Sequence, residues 1–263
     1  MLTDRHRCAN CQYKNYNMCA GVILSTLQKY YVVPSVYCHA LPASVDAEDG
    51  ALVALVALAL RICQVAELQA RQNVLVLGSN SIGILTQMIA NMQGARVIGV
   101  DTSHWRTSFA SGSSAHGVCV PKWSSTSTTD SASPPPEVVD QIVHQFRLGD
   151  GADVVVDCTG SESYIKTGVF AAKRGGTYVQ ATVVDPFVEL PIVMAQEKAL
   201  NIKGSVRDIA DCYPSAIDLV ASGRITPRIL VMNRFEADEA EEAFEEVNEN
   251  REYSMKVMIK GIP

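Results

Sequence analysis

The sequence predicts an α/β fold built on a doubly wound parallel sheet, and three observations carry that expectation. A short apolar run, Val74 to Leu77, enters a glycine-bearing turn, Gly78-Ser-Asn-Ser-Ile-Gly83, that opens onto a helical stripe. From Asn73 to about residue 206, strand-like and helix-like segments alternate. The second of those strands, starting at Arg96, ends on a carboxylate, Asp101.

Taken in order, residues 1 to 21 are polar, cysteine-bearing and irregular. Tyr30 to Val33 and Val36 to Cys38 read as two short strands either side of Pro34. Cys38 and His39, adjacent on such a strand, would face opposite ways and could not form a nucleophile–base pair. Ser44 to Gly50 is an acidic helix start, favourable at the positive end of the helix dipole. The next helix, to about Gln69, is apolar nearly all round and should be buried. Its longest apolar run, Ala51 to Leu60, is too short to span a bilayer.

Strands are expected at 73–78, 96–101, 117–121, 153–158, 176–182 and 200–206, with helices between most of them. Leu85, Met88, Ile89 and Met92 form one helical stripe, and Gly94 sits where a helix end needs a residue tolerant of positive φ. Trp123 to Pro136, rich in Ser, Thr and Pro, reads as a surface loop. Pro214 to Ala221 reads as a helix closed by Gly223. Ala240, Ala243, Phe244 and Val247 stripe an acidic helix, and Met255 to Lys260 reads as a closing strand.

Bulk properties narrow the function. Apolar residues make up 48% and charged residues 19%, ordinary for a globular chain of 263 residues. A net charge of −6 argues against a nucleic-acid footprint. Neither a signal peptide nor a spanning segment is read, so cytoplasmic residence without membrane contact is the expectation. Eight cysteines in such a chain suggest thiols or metal ligands rather than a disulfide framework. No Gly-x-Ser-x-Gly turn supports a hydrolase triad.

Strand, glycine turn, helix, strand and Asp together form a dinucleotide-binding arrangement of Rossmann type. The helix N-terminus faces a pyrophosphate and the acid meets a ribose hydroxyl. Gly78 and Gly83 fill the outer glycine slots. Asn80 occupies the middle slot, where backbone normally approaches phosphate, and that weakens the turn.

Gly78 to Gly83, Asp101 with Arg106, Asp153 to Gly160, Gly175 to Thr177, Asn201 to Gly204 and Lys256 to Lys260 occur in the order found in medium-chain zinc dehydrogenases. The chain resembles in particular their polyol (sorbitol and xylitol) dehydrogenase branch. The resemblance implies three regions: a remnant of a GroES-like catalytic domain over 1–72, a Rossmann domain over 73–206, and a C-terminal return over 207–263. It also implies that Gly78, Asn80, Ile82, Gly83, Asp101, Arg106 and Thr159 line an adenine-dinucleotide site. Asp101 favours NAD over NADP, an effect Arg106 partly relieves. Arg207 stands where the branch carries an Arg-Tyr pair, but Asp208 replaces the tyrosine.

The family's metal centres match poorly. No stretch aligns with its catalytic cysteine or Gly-His-Glu pair, and Ala54 and Leu55 stand where its Glu-Pro step would be. Zinc-assisted alcohol chemistry needs several protein ligands and an open position, so no catalytic zinc is expected. The structural lobe, C-x2-C-x2-C-x7-C in the family, here reads Arg5-x2-Cys8-x2-Cys11-x7-Cys19. Arginine stays protonated and cannot ligate. Cys8, Cys11 and Cys19 would need a fourth ligand from His6, Asp4 or water to hold a structural zinc; otherwise they are reduced thiols.

The sequence therefore points to a polyol-dehydrogenase-like chain that has lost zinc-dependent oxidation and serves a non-redox conversion of a small molecule. A zinc-independent NAD(P) oxidoreductase and a non-catalytic binding protein are the alternatives. Val188 to Met194 and the strand after Asn201 lie where this family pairs edge strands, so the resemblance implies a homodimer.

Overall fold

The computed structural model describes residues 18, 30, 32, 35, 38–122, 136–182, 185–207 and 211–261. They fall into two compact units, 62–205 and 1–61 with 206–263. The division lies inside one helix, whereas the family resemblance implied a boundary before Asn73.

The larger unit is a six-stranded, all-parallel sheet in the order β3-β2-β1-β4-β5-β6. Its strands are β1 (Asn73–Leu77), β2 (Arg96–Val100), β3 (Gly117–Cys119), β4 (Ala152–Asp157), β5 (Ala172–Gln180) and β6 (Asn201–Gly204). The helices are α2 (Ser81–Met92), α3 (His104–Ser113), α4 (Pro136–Phe146), α5 (Glu162–Ala171) and α6 (Ile192–Glu197), α1 being Ala47–Ala66. All six expected strands are present, most of them ending within two residues of the boundaries read from the sequence.

Side chains alternate across each strand, so β1 feeds two cores. Leu75 and Leu77 join Ile98, Val100 and Val155 against Val138 and Ile142 of α4 and Ile165 and Val169 of α5. Val74 and Val76 join Val97, Val154 and Val156 against Ile62 and Ala66 of α1 and Ala90 of α2. With both faces covered, strand residues can be apolar without interruption, which explains the run from Val74 to Leu77.

Strand register fixes where each connecting turn emerges. Leu77 pairs with Val100 on one side and with Asp157 on the other. The turn after β1 therefore emerges between the ends of β2 and β4, where the strand order reverses. Ligands of open α/β sheets bind at that point. Gly94, at φ +83, closes α2 with its N–H on the Asn91 carbonyl.

In the smaller unit, β7 (Val231–Phe235) pairs in parallel with β8 (Lys256–Ile259), joined through α8 (Ala240–Glu249). α7 (Cys212–Ala221) begins two residues before Pro214 and is followed, after the Ser222 cap, by Gly223 at φ +68. Asp46 caps α1 by accepting the Asp49 N–H at 2.9 Å. Arg228 bridges Asp46 and Asp49, and Arg234 holds Glu48, so the acidic first turn is neutralised by its own unit.

Three expectations change. Cys38 to Leu41 carry no strand, and His39 instead stacks on Tyr213 with ring centroids 5.2 Å apart. Tyr31, Val33, Pro34, Val36 and Tyr37 lie outside the described residues, as does the loop at 123–135. The stripe on α8 is only partly buried: Ala243 is inside, while Phe244 and Val247 are exposed. α1 is longer than its apolar run, long and apolar enough by length and composition to cross a membrane. Half of its most apolar stretch is buried inside the protein, as in a core helix.

Candidate functional site

The turn after β1 is held by close contacts that exclude side chains. Gly78 adopts φ +94, and a Cβ there would stand 2.7 Å from Thr159 Cγ2. A Cβ on Gly83 would stand 1.9 Å from the Gly78 carbonyl oxygen. Glycine at both places lets α2 start pressed against the end of β1, with its first N–H groups at the sheet's C-terminal edge.

Asn80 needs no glycine, because its backbone is extended at φ −74. Its side chain caps α2, Oδ1 accepting the Gly83 N–H at 2.9 Å, and Nδ2 donates to the Cys158 carbonyl at 2.8 Å. The sequence suggested a side chain obstructing the phosphate approach. The structure instead ties that side chain down between the first turn of α2 and the end of β4, Oδ1 bonded to backbone on the first and Nδ2 to backbone on the second.

Asp101, 6% exposed, ends β2. Its Oδ2 accepts the Ser79 N–H at 2.7 Å and its Oδ1 the Ser103 N–H at 2.9 Å. Ser103 then caps α3, its Oγ accepting the Arg106 N–H at 3.2 Å. The turn, the carboxylate and the first turn of α3 are thus one hydrogen-bonded assembly. Ile82, partly buried, packs into the core beneath the turn.

Across the switch point, Asp157 organises the end of β4. Its Oδ1 accepts the Thr159 N–H and hydroxyl, both at 2.7 Å, and the Gly160 N–H at 3.2 Å. Its Oδ2 accepts from Tyr178 OH at 3.3 Å and from Gln180 Nε2 at 3.2 Å. Burial raises the Asp157 carboxyl above its ordinary range, against the pull of those donors. Burial and the Asp157 charge also push the Tyr178 hydroxyl upward. Tyr164, buried beside Thr102 and Asp101, is raised chiefly by burial.

Gly78, Asn80, Gly83, Asp101 and Thr159 therefore meet around the end of β1, and Arg106 stands one helical turn beyond Asp101. Sequence reasoning gave no role to Asp157, Tyr178 or Gln180. The signal available was Asp157 itself, which closes an apolar strand in the same way that Asp101 does. It also passed over a buried polar group below the turn, Ser79, Gln87 and Ser114.

Cys8, Cys11 and Cys19 lie outside the described residues, as does Asp208. Among the described residues, no three His, Cys, Asp or Glu side chains converge so as to hold a metal ion. Cys63 and Cys119 are buried thiols, pushed by desolvation up to about 12 and about 11. Burial also raises Cys158. Such groups resist forming the thiolate that binds metal.

Comparison with known proteins places this geometry. The profile of the family described as zinc-binding dehydrogenase matches residues 81–222. A protein of Arthroderma otae, named a probable D-xylulose reductase A, is 35% identical over 97% of this chain and 71% of its own length. D-xylulose reductase A of Aspergillus niger is 33% identical over the same shares. A structure from Sinorhizobium meliloti 1021, described as a zinc-binding dehydrogenase and solved with NADP, superposes with a TM-score of 0.77 at 26% identity. It covers 90% of this chain and 68% of that one. L-idonate 5-dehydrogenase of Escherichia coli shares the fold, with a TM-score of 0.80 at 20% identity over 96% of this chain and 72% of that one. By profile, sequence and fold alike, the chain belongs to the medium-chain zinc-binding dehydrogenase family.

Proposed function

We propose that the chain binds a nicotinamide adenine dinucleotide, NAD(H) in preference to NADP(H), and has lost the zinc-assisted oxidation of polyols. The observation that carries the first part is the assembly of Gly78, Asn80, Gly83 and Asp101 around the end of β1. A pyrophosphate suits the N-terminus of α2, where Asn80 caps the Gly83 N–H, and Asp101 suits a ribose diol better than a 2′-phosphate. Thr159, fixed by Asp157, would flank the dinucleotide from β4. Bound there, the cofactor would supply hydride chemistry or act as a bound electron sink.

The loss of zinc chemistry is supported by Ala54 and Leu55 at the place of the family's Glu-Pro step. The reaction left to such a chain is a non-redox step on a small molecule, an isomerisation, dehydration or cyclisation steered by shape and a few polar groups. A second reading keeps hydride transfer, which the names of the Arthroderma and Aspergillus relatives favour, and drops the metal, which Ala54 and Leu55 favour.

One experiment separates them. Purified protein is titrated with NADH, then incubated with NADH and D-xylulose, and with NAD and xylitol, each with and without added zinc. Binding without turnover is expected. Zinc-dependent turnover overturns the loss of metal chemistry, and metal-independent turnover selects the second reading. We also propose that the chain pairs with a second copy through the β6 edge, on which Ile202 is exposed and which follows a stretch exposing Phe187, Leu190, Ile192 and Val193.

A further inference from the structure

The dinucleotide turn rests on a buried amide. Gln87 lies on α2 with no exposure, among neighbours such as Ile84, Leu85 and Ile89 that are apolar and equally buried. Its Nε2 donates to Ser79 Oγ at 3.2 Å, and its Oε1 accepts from Ser114 Oγ at 2.8 Å. Ser79 and Ser114 are themselves buried. Gly99 of β2 leaves the space: a Cβ there would stand 3.0 Å from Gln87 Nε2 and 3.2 Å from Oε1. Ser79 then donates its N–H to Asp101 Oδ2 at 2.7 Å. A continuous chain of hydrogen bonds thus runs Ser114, Gln87, Ser79, Asp101, joining the C-terminal end of α3 to the carboxylate that precedes its start.

An amide in a core costs free energy unless it is fully bonded, and an apolar side chain would pack the same volume without that risk. A satisfied buried network fixes geometry that an apolar core leaves adjustable. The geometry fixed here is the height of Ser79, and with it the position of Asp101.

We propose that Gln87 is a positioning residue for cofactor discrimination. It holds Ser79, and through the Ser79 N–H it holds Asp101, where the carboxylate accepts a ribose 2′-hydroxyl and repels a 2′-phosphate. This rests on the dinucleotide reading of the turn. Freed from below, Asp101 would keep its charge but lose its fixed place, so NADH binding weakens more than NADPH binding.

The test uses the full-length protein and four variants: Gln87→Met, Ser79→Ala, the two combined, and Gly99→Ala, which drives a methyl into the amide. NADH and NADPH are titrated by protein fluorescence, and thermal unfolding is recorded alongside. For Gln87→Met, NADH affinity is expected to fall about tenfold, the worth of one buried hydrogen bond, with a smaller change for NADPH. Gly99→Ala should behave in the same way. The combined variant should recover thermal stability, because the Ser79 hydroxyl is gone and Ser114 Oγ can still donate to the Ala110 carbonyl at 3.3 Å, yet keep the narrowed NADH/NADPH ratio. A purely structural role would restore both together, and that result overturns the proposal. So does a folded Gln87→Met protein whose affinities stay within about twofold of wild type. Should Gln87→Met not fold, Ser79→Ala is judged by the same ratio. Wild-type protein that binds neither nucleotide at millimolar concentration sinks the dinucleotide reading and this proposal together. Binding by wild type with indifferent variants sinks this proposal alone.

Discussion

A methyl group on residue 83 would overlap the Gly78 carbonyl oxygen, at 1.9 Å from it, and neither the helix start nor the strand end can yield without moving the other. Gly83→Ala is therefore expected to cost about 3 kcal/mol of stability, in the range of severe overpacking, and to abolish NADH binding even where the protein folds. Thermal unfolding and fluorescence titration check both; a variant with wild-type affinity would show that the close approach is dispensable. Asp157 makes a prediction about pH. Its carboxyl is raised in the folded protein by burial, so the native state holds a proton that the unfolded chain has already released. This group's contribution is therefore fully present below the unfolded carboxylate value and is lost as pH rises through the raised folded value. Asp157→Asn removes that dependence. Chemical denaturation of both proteins from about pH 4 upward should show wild type losing stability relative to Asp157→Asn as pH rises. Parallel curves would mean that the donors from Thr159, Gly160 and Gln180 fully offset the burial.

Elements built on a strong period were legible, and those decided by tertiary contact were not. Val74 to Leu77 announced a covered parallel strand because both sheet faces demand apolar residues, and Gly94 and Gly223 announced helix ends because both adopt positive φ. β7 was missed, since Val231-Met-Asn-Arg-Phe235 shows no alternation and becomes a strand by pairing with β8. Gln87 was passed over because a polar residue beside a helical stripe ordinarily faces water. The clue lay in Gly99, a glycine interrupting an apolar strand, which marks close approach by something else. Asn80 was read from its slot rather than its bonds. As the cap of α2 it satisfies the Gly83 N–H and the Cys158 carbonyl together. Asn80→Ala should cost about 1 kcal/mol or somewhat more, a lost cap plus an unpaired carbonyl. Asn80→Gly restores the usual glycine pattern yet should leave NADH affinity no better than wild type, because the Gly83 N–H and the Cys158 carbonyl both lose the partner that orders the turn. A gain of about fivefold or more on titration would show that Asn80 does obstruct the phosphate.

At the scale of the whole molecule, the sheet has two edges with different characters. β3 is only Gly117–Cys119, and a strand that short offers little for another chain to pair with. β6 is the opposite edge and presents its outer backbone beside exposed Ile202. Preceding it, Phe187 is 88% exposed, Ile192 61% and Val193 65%, all within one short stretch. Isolated exposed apolar side chains are ordinary, but several in one stretch, followed by a strand that ends the sheet among the described residues, are costly to leave in water and apt to pair wrongly. A second copy placed about a two-fold axis would satisfy both needs at once, because an isologous contact brings the same edge and the same stretch together from both copies. Light scattering at micromolar concentration is expected to give a dimer mass. Replacing Ile192 and Val193 together by aspartate sets four carboxylates against one another in the paired state and removes the apolar gain. Dissociation should strengthen by about a hundredfold or more, giving monomers at the same concentration. The same variant should bind NADH as wild type does, since its substitutions lie on α6, away from Gly78, Asn80 and Asp101 in sequence and in the sheet order. A monomer mass for the unaltered protein would remove the dimer, and loss of NADH binding in the monomeric variant would tie the nucleotide site to assembly.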